Sequence, residues 1–179
     1  MIDGKSYREY FETQAEEHPL LLHSEDNKVF ALVTVEQAIG DLRSSLVSAS
    51  GYLMRCIEPT SRLTPGDQYP RQTFDGGFTI ARKYDVRNQG AQSYLDAMDG
   101  SEAVGWDIVE KMYADSAKDH PLFKHAAHST LSVTARTRPV VGDGGYGGYL
   151  FLWSIQTHFC YNSPATRADW RDGGLTDVL

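Results

Sequence analysis

The 179-residue sequence predicts an α+β fold, with a four-stranded, mostly antiparallel sheet of two hairpins packed against one long helix. Four segments have the alternation or composition of strands, and they occur as two consecutive pairs. A helical repeat of apolar residues fills the chain between the two pairs. Two capping-box patterns ahead of the first strand predict N-terminal helices, and the chain after the last strand is predicted to form an extended C-terminal arm.

The first helix is predicted over residues 6–18. Ser6 and Glu9 fit a capping box, in which a hydroxyl and a carboxylate satisfy free backbone N–H groups, and Pro19 ends the pattern. Four side chains recur at helical spacing and form a mainly aromatic stripe: Tyr7, Tyr10, Phe11 and Gln14. Such a stripe usually packs on its own domain, and docking on a neighbouring subunit is the alternative.

A second helix is predicted over residues 35–47, behind a capping box formed by Thr34 and Gln37. The short apolar run at 28–33 is ambiguous between helix and strand. The chain is therefore divided into an N-terminal helical extension (1–34), an α+β core domain (35–161) and a C-terminal arm (162–179).

The first hairpin begins with a strand over Tyr52–Glu58, which we expect Pro59 to end. Residues 59–73 are rich in proline and glycine and are predicted to form a loop. From Phe74 to Tyr84, apolar and polar residues alternate, which predicts a half-buried strand with one solvated face.

The long helix is predicted over about residues 90–117, in one or two pieces, with Asn88 as its cap. Gly100 and Gly105 weaken its middle, and they either mark a kink or permit close approach to the sheet. His120 and Pro121 are expected to end it.

The second hairpin is predicted from Thr130–Arg138 and Tyr149–Tyr161, joined by a glycine-rich connection at 142–148. The last strand has the strongest period-two alternation in the chain. Both of its faces begin apolar, so we expect its first half to be covered on both sides.

Composition narrows the class of function. The chain has 24 acidic and 17 basic residues, for a net charge of −7, which favours solubility and disfavours direct binding to nucleic acid. No apolar run approaches the roughly twenty residues of a membrane-spanning helix, and no secretory signal is recognised. Cys56 and Cys160 are predicted to be buried free thiols in a cytoplasmic protein, with a disulfide between adjacent strands left open.

No pattern indicates catalysis. The spacing of His120, His125 and His128 matches no metal-ligand motif, so we interpret them as solvated histidines. The glycines at 142–148 lack the lysine and the following helix of a phosphate-binding loop. No nucleophile-elbow pattern occurs. We therefore predict no enzymatic activity, no metal and no cofactor.

Six residues are candidates for contact with a partner. Arg82, Lys83 and Arg87 form a small basic group at a strand end, where a solvated face is the alternative. Trp170, set among charged residues in the arm, is interpreted as an anchor that folds either onto its own domain or onto a partner. Tyr146 in the glycine-rich segment and Tyr69 in the 59–73 loop complete the set.

The order of elements resembles the tail terminator and tail-completion proteins of long-tailed bacteriophages and of phage-derived contractile particles. The resemblance covers about residues 35–161, through the two hairpins, the helix between them and the glycine-rich approach to an aromatic last strand. The N-terminal 34 residues and the arm depart from it, and no functional residue is carried over.

The resemblance implies a non-enzymatic ring, usually of six copies, that ends a tail tube and joins it to the head connector or cap. Its partners would be tail tube or sheath subunits, DNA could pass through its lumen, and it would lie in the virion tail or neck after assembly in the host cytoplasm. The alternative is a small cytoplasmic α+β domain that binds a ligand or protein on its sheet face. A hydrolase or metal enzyme built on His120, His125 and His128 is the third class.

Overall fold

The computed structural model describes residues 4–33, 51–64, 71–118, 123, 130–138 and 145–158. These residues form an α+β fold with two helices and a five-stranded mixed sheet in the order β1-β2-β3-β5-β4. The elements are α1 (Gly4–Glu17), β1 (Phe30–Val33), β2 (Tyr52–Thr64), β3 (Arg71–Lys83), α2 (Val86–Ser116), β4 (Thr130–Arg138) and β5 (Tyr146–His158).

The two predicted hairpins are confirmed, since β2 pairs with β3 and β4 pairs with β5, both antiparallel. The prediction of four strands is wrong. The ambiguous run at 28–33 supplies β1, which lies parallel to β2 with Phe30 opposite Met54 and Val33 opposite Ile57. An apolar run this short has too little periodicity to distinguish a strand from a helical segment, so only its pairing with β2 decides its conformation.

Pro59 does not end β2, which continues to Thr64. The β2–β3 register shifts between Ile57 and Thr60, so Pro59 lies at a bulge. The predicted 59–73 loop is therefore wrong at both ends, and its remaining residues, 65–70, lie outside the described part of the chain.

The aromatic stripe of α1 packs on its own sheet. Phe11 lies with its ring centroid 5.7 Å from that of Phe78, and the Tyr7 ring lies 5.8 Å from that of Trp153. Trp153 crosses over Gly76, where a Cβ atom would overlap the indole ring. The predicted helix is confirmed, although Ser6 lies inside its first turn rather than at its cap.

The long helix α2 is confirmed, and it contains a kink at Gly90, whose φ of 72° is not helical. Its cap is Asp85 rather than Asn88, because the Asp85 carboxylate accepts the backbone N–H of Asn88 at 3.1 Å. The helix ends at Ser116, one residue before the predicted end, and His120 and Pro121, which were expected to follow it, lie outside the described residues.

Gly105 and Gly100 permit close approach to the sheet. A Cβ at Gly105 would overlap the ring of Phe151 on β5, and one at Gly100 would meet the Tyr52 hydroxyl on β2. Of the two alternatives that the sequence left open for these glycines, the structure has close packing, and the kink lies elsewhere, at Gly90.

The second hairpin differs from expectation at one end. β4 has the predicted bounds, but β5 begins at Tyr146, so the last three residues of the glycine-rich segment belong to the strand. Gly148 pairs with Ala81 on β3, where a Cβ would overlap the Ile80 carbonyl. These glycines serve close strand packing rather than a turn.

Both helices cover the same face of the sheet. Phe78 and Phe151 are register partners on neighbouring strands; the first contacts α1 and the second contacts α2. The opposite face of β3 is not solvated as predicted, since Thr79 and Ala81 there are buried in the middle of the sheet. On the same face of β5, Leu150 and Leu152 are half-buried.

Several predictions fall on residues outside the described part of the chain. These are the second helix at 35–47, the arm at 162–179, Tyr69, Trp170, Cys160 and the histidines His120, His125 and His128.

Candidate interaction surfaces

One end of the sheet brings together most of the predicted contact residues. Lys83, at the end of β3, lies directly opposite Tyr146 on β5, and Arg87 follows in the first turn of α2. Lys83 and Arg87 are exposed, whereas Tyr146 is half-buried. The sequence placed these residues in separate segments, and the strand register makes two of them neighbours.

Arg82 has a role within the fold that the sequence did not indicate. Its guanidinium carbon lies 5.1 Å from the centre of the Tyr52 ring, and its Nη1 donates to the Asp96 carbonyl at 3.4 Å. The side chain therefore connects β2, β3 and α2 through a cation–π contact and a hydrogen bond. Lys83 and Arg87 remain as the exposed cations of the basic group.

The N-terminus of α2 is held by a local hydrogen-bond network. The Asp85 carboxylate accepts from both the backbone and the side-chain amide of Asn88, which holds the pKa of Asp85 below its usual value. Arg87 contributes a smaller effect in the same direction. The Asp85 backbone N–H donates to the Ser93 hydroxyl at 2.8 Å, which fixes the approach of the chain to the kink.

A buried polar link joins α1 to α2. Tyr10 donates its hydroxyl to Asp115 at 3.0 Å, and Lys111 reaches the two carboxylate oxygens of Asp115 at 2.8 and 2.9 Å. Burial, followed by the charge of Asp115, raises the pKa of Tyr10. The sequence placed Tyr10 on the buried stripe but gave no signal for its partner, which is 105 residues away.

A second tyrosine of α1 reaches the backbone of the sheet. The Tyr7 hydroxyl donates to the Ile57 carbonyl at 2.9 Å, at the point where the β2–β3 register breaks. This bond satisfies a carbonyl beside the bulge, and burial raises the pKa of Tyr7 well above its usual value. Both tyrosines therefore position α1 rather than present a reactive group.

Cysteine, histidine and acidic side chains of the described residues are the groups that would form a reactive or metal-binding arrangement. Cys56 is fully buried, and burial raises the pKa of its thiol, which disfavours the reactive thiolate. Within the described ranges, His, Cys, Asp and Glu side chains form no group of three or more that could hold a metal ion.

A charged surface pocket of about 400 Å³ lies between α1 and β1. Glu12 is its most connected residue, with Arg8 at 3.4 Å and His23 at 3.7 Å. Phe30 forms part of the wall and packs against the His23 ring. This pocket lies at a sheet edge and is lined largely by charged residues, unlike the sheet-face site of the alternative prediction.

An exposed apolar stripe runs along α2. Leu95, Trp106 and Tyr113 are separated by about three and about two helical turns, so they share one side of the helix. Trp106 packs edge-on against Phe151, and Tyr113 donates to the Leu131 carbonyl of β4 at 3.3 Å. The stripe therefore faces the β4 side of the sheet.

Comparison with protein-family models and with curated proteins gave no match. None of the described helices is long and apolar enough to cross a membrane.

Proposed function

We propose that this protein is a structural assembly protein: a tail terminator or tail-completion protein that forms a ring, usually of six copies, at the end of a phage or phage-like tail tube. The ring joins the tube to the head connector or cap, lies in the virion tail or neck, and assembles in the host cytoplasm. Its acidic net charge of −7 suits a lumen through which DNA slides without binding.

The observation that carries the proposal is the arrangement of the two hairpins. They form four adjacent strands in the order β2-β3-β5-β4, and α2, which connects them in the chain, packs with α1 on one face. This is the arrangement expected from the element order that resembles the tail-completion families. The buried tyrosines and Cys56 are engaged in packing, which suits a structural role.

Two surfaces are available for subunit contacts in such a ring. One is the end of the sheet that carries Lys83, Tyr146 and Arg87, and the other is the exposed stripe of α2 beside β4. Asp99 and Glu102 lie between Leu95 and Trp106 on α2, so the surface beside the apolar stripe also carries negative charge. This charge is opposite to that of Lys83 and Arg87, which favours head-to-tail contacts in a closed ring.

The test is native mass spectrometry over a wide concentration range, followed by co-sedimentation with tail tubes. A closed ring that binds tube ends is expected. A chain that forms no ring and does not bind tube ends would contradict the proposal. Lys83→Glu should weaken the ring, whereas Lys5→Glu, at an exposed position on α1, is the matched control.

Trp170→Ala adds an independent measurement. If Trp170 anchors the arm on a partner, the variant should lose incorporation into particles while its melting temperature changes little. A large loss of melting temperature would show instead that Trp170 packs on its own domain.

The second candidate function is a small binding domain, and the pocket beside β1 favours it. Its mixed lining, with Glu12 and Arg8 among the charged groups, suits a small polar ligand. Thermal-shift measurements with amines and carboxylates as probes test this. A saturable rise in melting temperature that Glu12→Gln removes would support a ligand site, and the absence of any shift would count against it.

A further inference from the structure

The face of the sheet opposite α1 and α2, which we call the second face, carries side chains that are shielded from solvent. Leu53 on β2 is 2% exposed, and its register partner Ala81 on β3 is 1% exposed. Both lie outside the core cluster beneath the two helices, as do the buried Thr79 and Val33. Side chains stand roughly perpendicular to a sheet, so a leucine in this position is buried only if something packs above it.

The described helices do not provide this cover. Among the described elements only α1 and α2 are helices, and they pack on the face that holds Phe78 and Phe151. A segment outside the described ranges must therefore lie on the second face.

The connection from β1 to β2 is one such segment. The two strands are adjacent and parallel, with Val33 opposite Ile57. Because both run in the same direction, the chain must return along the sheet between them, which takes about a dozen or more residues and usually includes a helix. Residues 34–50 provide this length, and their sequence predicts a helix over 35–47. Its apolar stripe consists of residues at helical spacing: Val35, Ala38, Ile39, Leu42 and Leu46.

The handedness of parallel connections decides which face this segment occupies. Such connections are right-handed in about 98% of cases. The helix α2 connects β3 to β4, which are also parallel to each other because both run antiparallel to β5. The two connections advance in the same direction across the sheet, but β3 runs opposite to β1, so right-handed crossovers place them on opposite faces. Since α2 packs on the face that holds Phe151, residues 34–50 belong on the second face.

The predicted helix also has the length that this path needs. Val33 is level with Ile57, and β2 begins at Tyr52 directly after Gly51. The chain must therefore return past about six strand residues, or about 20 Å. A helix over 35–47 is also about 20 Å long. Its apolar stripe would extend along β1 and β2 for the whole of their pairing.

We propose that residues 35–47 form a helix whose apolar stripe packs on the second face, over Leu53 and Ala81, so that the sheet is the middle layer of a three-layer sandwich. This inference does not rest on the proposed function. It closes the second face to ligands, because the space above Leu53 is filled by the chain's own side chains. A ligand site on that face, as the alternative of a sheet-face binding domain requires, is then excluded.

Nuclear Overhauser contacts between methyl groups of the unmodified, full-length protein provide the decisive test. The methyl groups of Leu53 and Ala81 should show contacts with those of Ile39 and Leu42. The absence of any contact with residues 35–47, or contacts with residues 119–129 or 159–179 in their place, would overturn the proposal.

The reactivity of an introduced thiol gives a second readout. Thr79→Cys places a side chain of similar size on the second face, and all variants carry Cys160→Ser, so that the buried Cys56 is the only other thiol. Leu42→Asp, in the apolar stripe, should accelerate labelling of the introduced thiol at least about tenfold, because a carboxylate buried against the sheet favours opening of the helix. Ser44→Asp is the matched control, since Ser44 lies on the opposite side of the predicted helix.

The labelling rates also distinguish the helix from the C-terminal arm. Equal rates in the Leu42→Asp and Ser44→Asp proteins would contradict the proposal. Faster labelling with Trp170→Ala, together with no effect of Leu42→Asp, would place the arm on the second face instead. Circular dichroism of each variant shows that the fold is retained, and the methyl contacts decide the outcome for a variant that does not fold. Neither result depends on whether the protein forms a ring.

Discussion

Gly105→Ala should destabilise the protein, although the same change in an exposed helix is stabilising. Replacing a glycine inside a helix with alanine gains up to about 1 kcal/mol from helix propensity. At Gly105, however, the new Cβ would overlap the ring of Phe151, which is fully buried and stacks on Phe78 with 5.0 Å between the ring centroids. The ring cannot move without displacing its neighbours in the core.

The magnitude follows from setting these effects against each other. Overpacking a well-packed core costs about 1–3 kcal/mol, and direct overlap with a fully buried ring puts Gly105→Ala near the upper end of this range. After a gain in propensity of about 1 kcal/mol, the net destabilisation should be about 2 kcal/mol. For a chain of this size, that corresponds to a melting temperature lower by about 4–8 °C. Gly100→Ala should cost less, because its Cβ would meet the end of the Tyr52 side chain rather than a ring inside the core.

Urea unfolding followed by circular dichroism measures the change directly. The midpoint should fall with little change in the slope of the transition, since the surface exposed on unfolding is the same. Gly4→Ala, at the first residue of α1 with open space around its Cβ, is the control and should be neutral or slightly stabilising. A Gly105→Ala protein as stable as the parent would refute the close contact between α2 and β5.

Two further predictions concern the tyrosines of α1. Tyr7→Phe removes the hydrogen bond from the Tyr7 hydroxyl to the Ile57 carbonyl and should lower the free energy of unfolding by about 1–2 kcal/mol, measured by urea titration; no change would show that this bond is dispensable. Burial raises the pKa of Tyr10 in the folded state above its value in the unfolded chain. The protonated Tyr10 hydroxyl therefore contributes fully to the free energy of unfolding below about pH 10, and this contribution is lost as the pH rises further. Tyr10→Phe should therefore flatten the fall in melting temperature above pH 10, and an unchanged alkaline slope would contradict the role of Tyr10.

Elements with strong local periodicity were predictable. β4 was predicted over the residues that form it, and the aromatic stripe of α1 identified the buried face of that helix. Alternation and helical spacing report which residues face the core, and this depends on the local chain alone. The α+β class and the two hairpins follow from the same patterns.

Elements whose conformation depends on a distant partner were not predictable. β1 is a strand because β2 lies beside it, and Pro59 lies within β2 where its register with β3 shifts. Gly148 lies in a strand rather than a turn because the backbone of β3 passes close to it. In each case, the decisive neighbour is remote in sequence.

The candidate contact residues show the same division. The sequence alone indicated that Arg82, Lys83 and Arg87 form a basic group and that Tyr146 is an isolated aromatic residue in a glycine-rich segment. Strand register placed Lys83 beside Tyr146, and packing engaged Arg82 with the Tyr52 ring. Which charges remain exposed was therefore decided by tertiary contacts.

The amino-acid sequence by itself determined the class of fold, the hairpins and the long helix, because apolar periodicity is a property of neighbouring residues. The tertiary structure decided the fifth strand and the link from Tyr10 to Asp115. These features form only when the fold brings distant segments together, because the contacts that stabilise them join residues that are far apart in the chain.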